Sequence, residues 1–268
     1  MNHRIERIEG HGMPVNSFLV HGPDGLVIVD GMLTVSDAAL VRQSIDDSGH
    51  PLAGVVVTHP HPDHYAGLAH LVGPDDIPIV ATAAVDEIIR RDDQLKDEIV
   101  GAMMGDEWPA TRVFPNQTVA DGEEVGLGGL TISVRELGPG ESHVDSTWQL
   151  DANIVFAGDI AYNGTHAYLA DGHWQEWLAT LSRLEAELPD DVTLHVGHGP
   201  SGPKSLLSEQ RRYITAFVEA VEANAEAVDH GDHRGVIEAM KALVPNDSLL
   251  FLMELSIAPV HAALRRTA

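Results

Sequence analysis

Apolar positions in the first third of the chain fall in short runs, each followed by a stretch with helical spacing. Residues 17–21 and 26–30 read as two strands joined by the turn Gly22-Pro23-Asp24-Gly25. A helix is expected over 35–47 with Ser36 as its N-cap, then a strand at 54–57, a helix beginning near Ala66, a strand at 77–81 and a polar helix over 84–103. From residue 111 to 157 the pattern turns to strands: 112–114, 123–127, 130–136, 146–151 and 153–157. A helix at 174–187 and a strand at 192–196 complete a second half. Beyond Lys204 the spacing is helical over 205–228, 233–243 and 247–266. Two blocks of strands, each followed by helices, predict an α/β protein with two sheets packed face to face and helices outside. The loops leaving the strands then converge on one edge.

Composition narrows the class. The 268 residues are 44% apolar, with Gly and Pro spread throughout and no linker-like run, which fits one domain over 1–268. Forty-one acidic residues against sixteen basic ones give a formal charge of −25, a field that repels phosphate backbones and anionic membranes. Nucleic acid and membrane are therefore not expected as partners, and a small molecule is. The absence of cysteine excludes disulfides and thiolate ligands, so any metal must be held by histidine and carboxylate. The charged start, Met1 to Arg7, lacks the apolar segment of a signal peptide, and no apolar run reaches the roughly 18 residues of a membrane span, so a cytoplasmic location is expected.

The chemistry concentrates where the strand at 54–57 ends. Thr58-His59-Pro60-His61-Pro62-Asp63-His64 packs three imidazoles and a carboxylate into one loop, and the two prolines fix φ and stiffen it. Three further segments set a ligand-type residue after a strand or at a Gly-rich turn: Gly140-Glu141-Ser142-His143, Phe156-Ala157-Gly158-Asp159 and Val196-Gly197-His198-Gly199.

The order H-x-H-x-D-H, then His, then Asp, then G-H-G resembles the metallo-β-lactamase superfamily over about residues 16–202. The resemblance implies a four-layer αβ/βα sandwich with a two-metal site on one edge, followed here by a helical C-terminal segment at about 203–268. Carried over residue by residue, it assigns His59, His61 and His143 to the first metal, Asp63, His64 and His198 to the second, and Asp159 to both. Asp30 matches an aspartate that supports the ligands in many members, with a turn or cap role as the rival reading. Such ligands suit two Zn2+, with Fe or Mn as other occupants, and two cations ~3.5–4 Å apart lower the pKa of a shared water to about 7. Asp63 is then expected to orient the attacking water and accept its proton.

Within the superfamily, histidine at His61 favours hydrolysis over the iron redox members, which usually carry Glu there. Asp159 stands where some β-lactamases have a cysteine. Tyr162, three residues after Asp159, is similar to the Asp-x-x-Tyr of N-acyl homoserine lactonases, where the phenol assists the substrate carbonyl. An ester or lactone hydrolase is accordingly the first expectation and a glyoxalase II-like thioesterase the second, with Lys204, Arg211 and Arg212 as the only basic candidates for glutathione carboxylates. From another class, an iron redox or purely metal-binding protein of the same fold remains open. Of the sixteen histidines, those outside the ligand set read as structural, except that His166 and His173 fall on the edge where the metals belong. His195, Trp148, Trp174 and Trp177 read as packing residues. The apolar stripe of the C-terminal helices either closes over the site or forms a homodimer contact.

Overall fold

The computed structural model describes residues 3–73 and 77–267; Met1 and Asn2, the start of the charged N-terminal stretch, lie outside the described residues. The chain opens with β1 (Ile5–Glu9), β2 (Asn16–Gly22) and β3 (Gly25–Val29), followed by helix α1 (Val35–Ser48) and β4 (Leu52–Val56). Short helices α2 (Pro62–Tyr65) and α3 (Leu68–Val72) lead to β5 (Ile79–Thr82), α4 (Ala83–Lys96), α5 (Ala102–Met104) and β6 (Gln117–Val119). The second half runs β7 (Glu124–Leu127), β8 (Leu130–Gly138), β9 (Asp145–Asp151), β10 (Ile154–Gly158), α6 (Trp174–Glu187), β11 (Thr193–Val196) and β12 (Gly202–Pro203). Helices α7 (Ser205–Ala223), α8 (Ala225–Asp229), α9 (Arg234–Leu243) and α10 (Leu250–Thr267) close the chain.

Two six-stranded sheets form, in the orders β1-β2-β3-β4-β5-β6 and β12-β11-β10-β9-β8-β7. The period of two in the strands builds the sandwich. Val27 and Val29 of β3 join Val56, Val80, Val125, Ile132, Trp148 and Phe156 between the sheets. Leu26 and Ile28, on the opposite face, meet Val41, Ile45, Leu68, Val85 and Ile89 of the helices. Val155, Leu194 and Val196 likewise meet Trp177, Leu181, Leu207 and Ile214. Strands buried on both faces read as continuous apolar runs rather than alternating ones, as in Leu26-Val27-Ile28-Val29. The structure is the expected sandwich, and no helix among the described residues is long and apolar enough to cross a membrane.

Four details differ from the sequence reading. β1 pairs with β2, so the first sheet begins before residue 16. Helix α1 is capped by Thr34, whose hydroxyl accepts from the Asp37 N–H, rather than by Ser36. The expected helix over 84–103 opens into a π-helical turn at Asp97–Gly101, where the Trp108 indole donates to Asp97 (2.6 Å) and its ring packs 3.0 Å from where a Cβ on residue 101 would fall. No strand forms at 112–114. Arg112 is instead drawn to Asp93 (2.8 Å) and Asp97 (2.7 Å), and β6 pairs with β5 three residues later.

Candidate metal centre

The loop after β4 is placed from behind by Asp30, which leaves β3 in the left-handed region at φ 63°. That conformation costs a non-glycine residue ~1–3 kcal/mol, and Asp tolerates it better than most. The turn aims its carboxylate across the sheet. Oδ1 accepts from the Thr58 N–H (2.8 Å), and Oδ2 accepts from the Thr58 hydroxyl (2.8 Å) and from His64 Nδ1 (2.8 Å). The Thr58 oxygen, having given its proton to Asp30, accepts from His59 Nδ1 at 3.0 Å. One buried carboxylate thus fixes the tautomers of two histidines and turns both Nε2 atoms the same way. Of the two roles weighed for Asp30, support of the ligands is the one its contacts serve.

The other contributors arrive at sharp turns. Gly158, at φ 52°, ends β10 and presents Asp159; a Cβ there would come 2.7 Å from the Thr58 hydroxyl. Gly197 precedes His198, and a Cβ on it would fall 1.9 Å from Asp159 Oδ1 and 2.7 Å from His64 Cε1. Only glycine lets the end of β11 approach so closely. His198 Nδ1 donates to the Pro14 carbonyl at 2.7 Å, and Asn16 ties down the same loop through the carbonyls of Val196 and Gly199.

Among the described residues two sets of donor atoms result. Asp63, His64, Asp159 and His198 form one, and His59, His61 and Glu141 form the other, each with its atoms within 4.8 Å of one another. All seven side chains are buried. His198 Nε2 lies 3.0 Å from Asp159 Oδ2 and 3.3 Å from Asp63, and His61 Nδ1 lies 2.9 Å from Glu141 Oε2. His59 Nε2, His64 Nε2 and Asp159 Oδ1 are buried without a hydrogen-bond partner, and Glu141 Oε2 meets only the imidazoles of His61 (2.9 Å) and His59 (3.6 Å). Such atoms cost about 1–3 kcal/mol each unless something else satisfies them. A cation in each set would do so, and the imidazole and carboxylate donors fit divalent metals.

The sets gather Asp63, His64, Asp159, His198, His59 and His61 as the sequence suggested, but not His143. The His143 side chain lies outside both sets, with Nδ1 2.8 Å from His173 Nε2. Glu141 occupies the inner place. The cause is Asp145, whose Oδ2 accepts from the N–H groups of Glu141 (2.8 Å) and Ser142 (3.3 Å) and whose Oδ1 accepts from the Ser142 hydroxyl (2.8 Å). These bonds tighten the turn so that residue 141 faces in and residue 143 faces out. A carboxylate between Gly140 and Ser142 was the available signal, since either residue type is a ligand.

Further residues appear only in three dimensions. Asp171 Oδ2 stands 3.2 Å from His61 Nε2, backing that ring as Asp30 backs His64, and the Tyr168 ring meets His61 edge-on at 5.2 Å. The Tyr162 hydroxyl is 2.9 Å from both Glu141 Oε1 and Asp159 Oδ2, so it is engaged by carboxylates rather than directed at a substrate. His166 is buried against Tyr213 and the Asn246 carbonyl, both at 3.1 Å, away from the donor sets. Arg211 pairs with Glu185 of α6, and Lys204 with the Leu188 carbonyl and Asp190. His195 stacks on Phe156 at 4.9 Å and meets Phe18 at 5.1 Å as a packing residue.

The electrostatics match a cation site. Burial opposes ionisation of Asp159 and Asp63, yet the facing His198 and His64 hold both well below the ordinary carboxylate range. Burial also opposes charge on His198, but Asp159 and Asp63 raise it to about 10. Burial pushes Glu141 up to about 8, with His61 pulling the other way. Ionised carboxylates facing protonated imidazoles are what a divalent cation would displace protons from on binding.

Fold and site together define a metal-site sandwich, and the profile described as the metallo-beta-lactamase superfamily matches residues 11–198; the chain belongs to that superfamily. It is similar to the hydroxyacylglutathione hydrolases of Prochlorococcus marinus (23% identity, covering 65% of this chain and 63% of that protein) and Chromohalobacter salexigens (27%, 65% and 57%). The chain thus spans less than two thirds of the length of these relatives. A solved beta-lactamase domain protein from Burkholderia ambifaria shares the fold with a TM-score of 0.70 at 19% identity, covering 98% of this chain and 87% of that one. That coverage extends the shared fold through the C-terminal helices.

Proposed function

We propose that this protein is a dinuclear, zinc-dependent hydrolase of small acyl esters, with thioesters as the first substrate class and lactones or oxygen esters as the second. The observation that carries the reading is the pair of buried donor sets in which His59 Nε2, His64 Nε2 and Asp159 Oδ1 lack a hydrogen-bond partner. Thioesters come first because the similar curated proteins are named for hydroxyacylglutathione. The lactone reading rests on the Asp-x-x-Tyr spacing and a phenol that assists the substrate carbonyl, and the Tyr162 hydroxyl is engaged by Glu141 and Asp159.

His59, His61 and Glu141 would hold one cation, and Asp63, His64 and His198 the other, with Asp159 between them. Such a pair supplies Lewis acidity toward a carbonyl and lowers the pKa of water to about 7. Asp63 is among the more accessible members of the site. In this reading Asp63 takes the proton of the attacking water and passes it to the leaving thiolate or alkoxide as the acyl–S or acyl–O bond breaks. No side chain needs to become acylated. Zinc-loaded protein is tested against S-lactoylglutathione, homoserine lactones, aryl esters, phosphodiesters and a cephalosporin. Thioester turnover that disappears on chelation supports the reading; turnover confined to phosphodiesters, or iron content with oxygen-dependent activity, overturns it. Asp63→Ala is expected to abolish turnover while the His59 set keeps its cation, and equal loss of both cations would remove the proton-accepting role.

A further inference from the structure

We propose that Tyr162 is a positioning residue that sets the geometry between the two donor sets, and that α7 holds it in place through Gln210. The inference rests on the metal-site reading above and concerns how this chain shapes that site. Tyr162 is the side chain that bonds to one member of each set: its hydroxyl lies 2.9 Å from Glu141 Oε1 in one and 2.9 Å from Asp159 Oδ2 in the other. A phenol has one proton to donate, so the two carboxylates share it, and the position of each depends on the other. The remaining oxygens face imidazoles of their own sets, Glu141 Oε2 toward His61 Nδ1 at 2.9 Å and Asp159 Oδ1 toward His64 Nε2 at 3.4 Å. The hydroxyl therefore fixes the rotation of both carboxylates, turning Glu141 Oε2 toward His61 and holding Asp159 Oδ2 beside His198.

The rest of the residue is immobilised. Its ring stacks on His198 with centroids 5.1 Å apart and planes 13° from parallel, and it sits 6.4 Å from the Trp177 ring. Its backbone N–H donates to Gln210 Oε1 at 3.1 Å, and Gln210 is a buried residue of α7. A helix beyond the residues matched by the family profile thus reaches the site through one amide. The arrangement also requires Glu141, since an imidazole nitrogen in its place would not offer the phenol the same free carboxylate oxygen.

Tyr162→Phe removes one oxygen and keeps the ring stack. Cobalt titration with a competing chelator is expected to show two cations bound with affinity about tenfold to a hundredfold lower, the range typical for groups that orient ligands. The visible spectrum of the cobalt-loaded protein should change, and kcat should fall while KM stays within about twofold, the signature of lost transition-state stabilisation rather than lost uniform binding. Wild-type affinity with a superimposable cobalt spectrum overturns the proposal, as does a raised KM with unchanged metal properties, which would make the hydroxyl a substrate contact. Should Tyr162→Phe fail to fold, Gln210→Leu reads the same spectrum, and an unchanged spectrum there overturns the role of α7. Wild-type protein that binds no cobalt fails the metal-site reading itself, before any variant is compared.

Discussion

Asp159 and His198 are confined by main chain: Gly158 and Gly197 leave no slack around Asp159, and the Pro14 carbonyl anchors His198, while His64 of the same set rests on the Asp30 carboxylate. His61 and Glu141, in the other set, are oriented mainly by side chains, through Asp171 and Tyr162, on a turn that Asp145 closes. Side-chain support can accept a different residue with a small local change, whereas a Cβ at Gly197 has nowhere to go. The difference teaches where this site is adaptable. The set confined by main chain gathers the residues that the sequence pattern assigned to it, whereas in the set held mainly by side chains Glu141 faces the donors where the pattern assigned His143.

The largest effect that could break this comparison is expected from Gly197→Ala. The added methyl would meet Asp159 Oδ1 at 1.9 Å. Since displacing groups that merely orient ligands already costs about 10–100-fold, moving a ligand should exceed about a hundredfold loss of turnover. Metal analysis should show occupancy falling from two cations toward one. Two tightly bound cations in this variant would show that the main-chain anchoring is softer than its geometry implies.

Next in size is the contrast between Glu141→Ala and His143→Ala. The first should weaken cation binding at the His59 set by about a hundredfold, and the second by less than about threefold, because only Glu141 faces the donors. Isothermal titration with zinc measures both. A larger loss on replacing His143 would show that the turn can present either residue to the metal.

These residues mark what was legible in the sequence. The strand-to-loop cluster from His59 to His64 could be read because its candidate ligands are nearly contiguous, and Asp159 and His198 because each directly follows a glycine at or just past the end of a strand. The choice between Glu141 and His143 depended on the path of a six-residue turn, which is decided by Asp145 hydrogen bonds that no periodicity encodes. Asp171, Gln210 and Thr58 act through neighbours distant in sequence or through a hydroxyl, and as single residues of common type they carry no motif. β1 was missed for a related reason: Ile5-Glu6-Arg7-Ile8-Glu9 is largely charged, and its strand character comes from pairing with β2 rather than from its own apolar content.

The smallest expected effect concerns the strand that delivers His198. His195 lies on β11 against Phe18 and Phe156, and burial lowers its pKa from 6.5 to about 4. The folded state therefore keeps this ring neutral at pH values where the unfolded chain protonates it. Its contribution to stability is fully present above pH 6.5 and is lost as pH falls from 6.5 toward 4, on the order of 2 kcal/mol at one buried, partly solvated ring. His195→Phe removes the titrating group but keeps an aromatic in the stack. Urea midpoints at pH 7 and pH 4.5 should differ less in this variant than in the wild type, and cation release from the His198 set should shift to lower pH while release from the His59 set does not. An equal acid loss of stability in both proteins would place the acid-sensitive step elsewhere and leave the two sets alike in their response to protons.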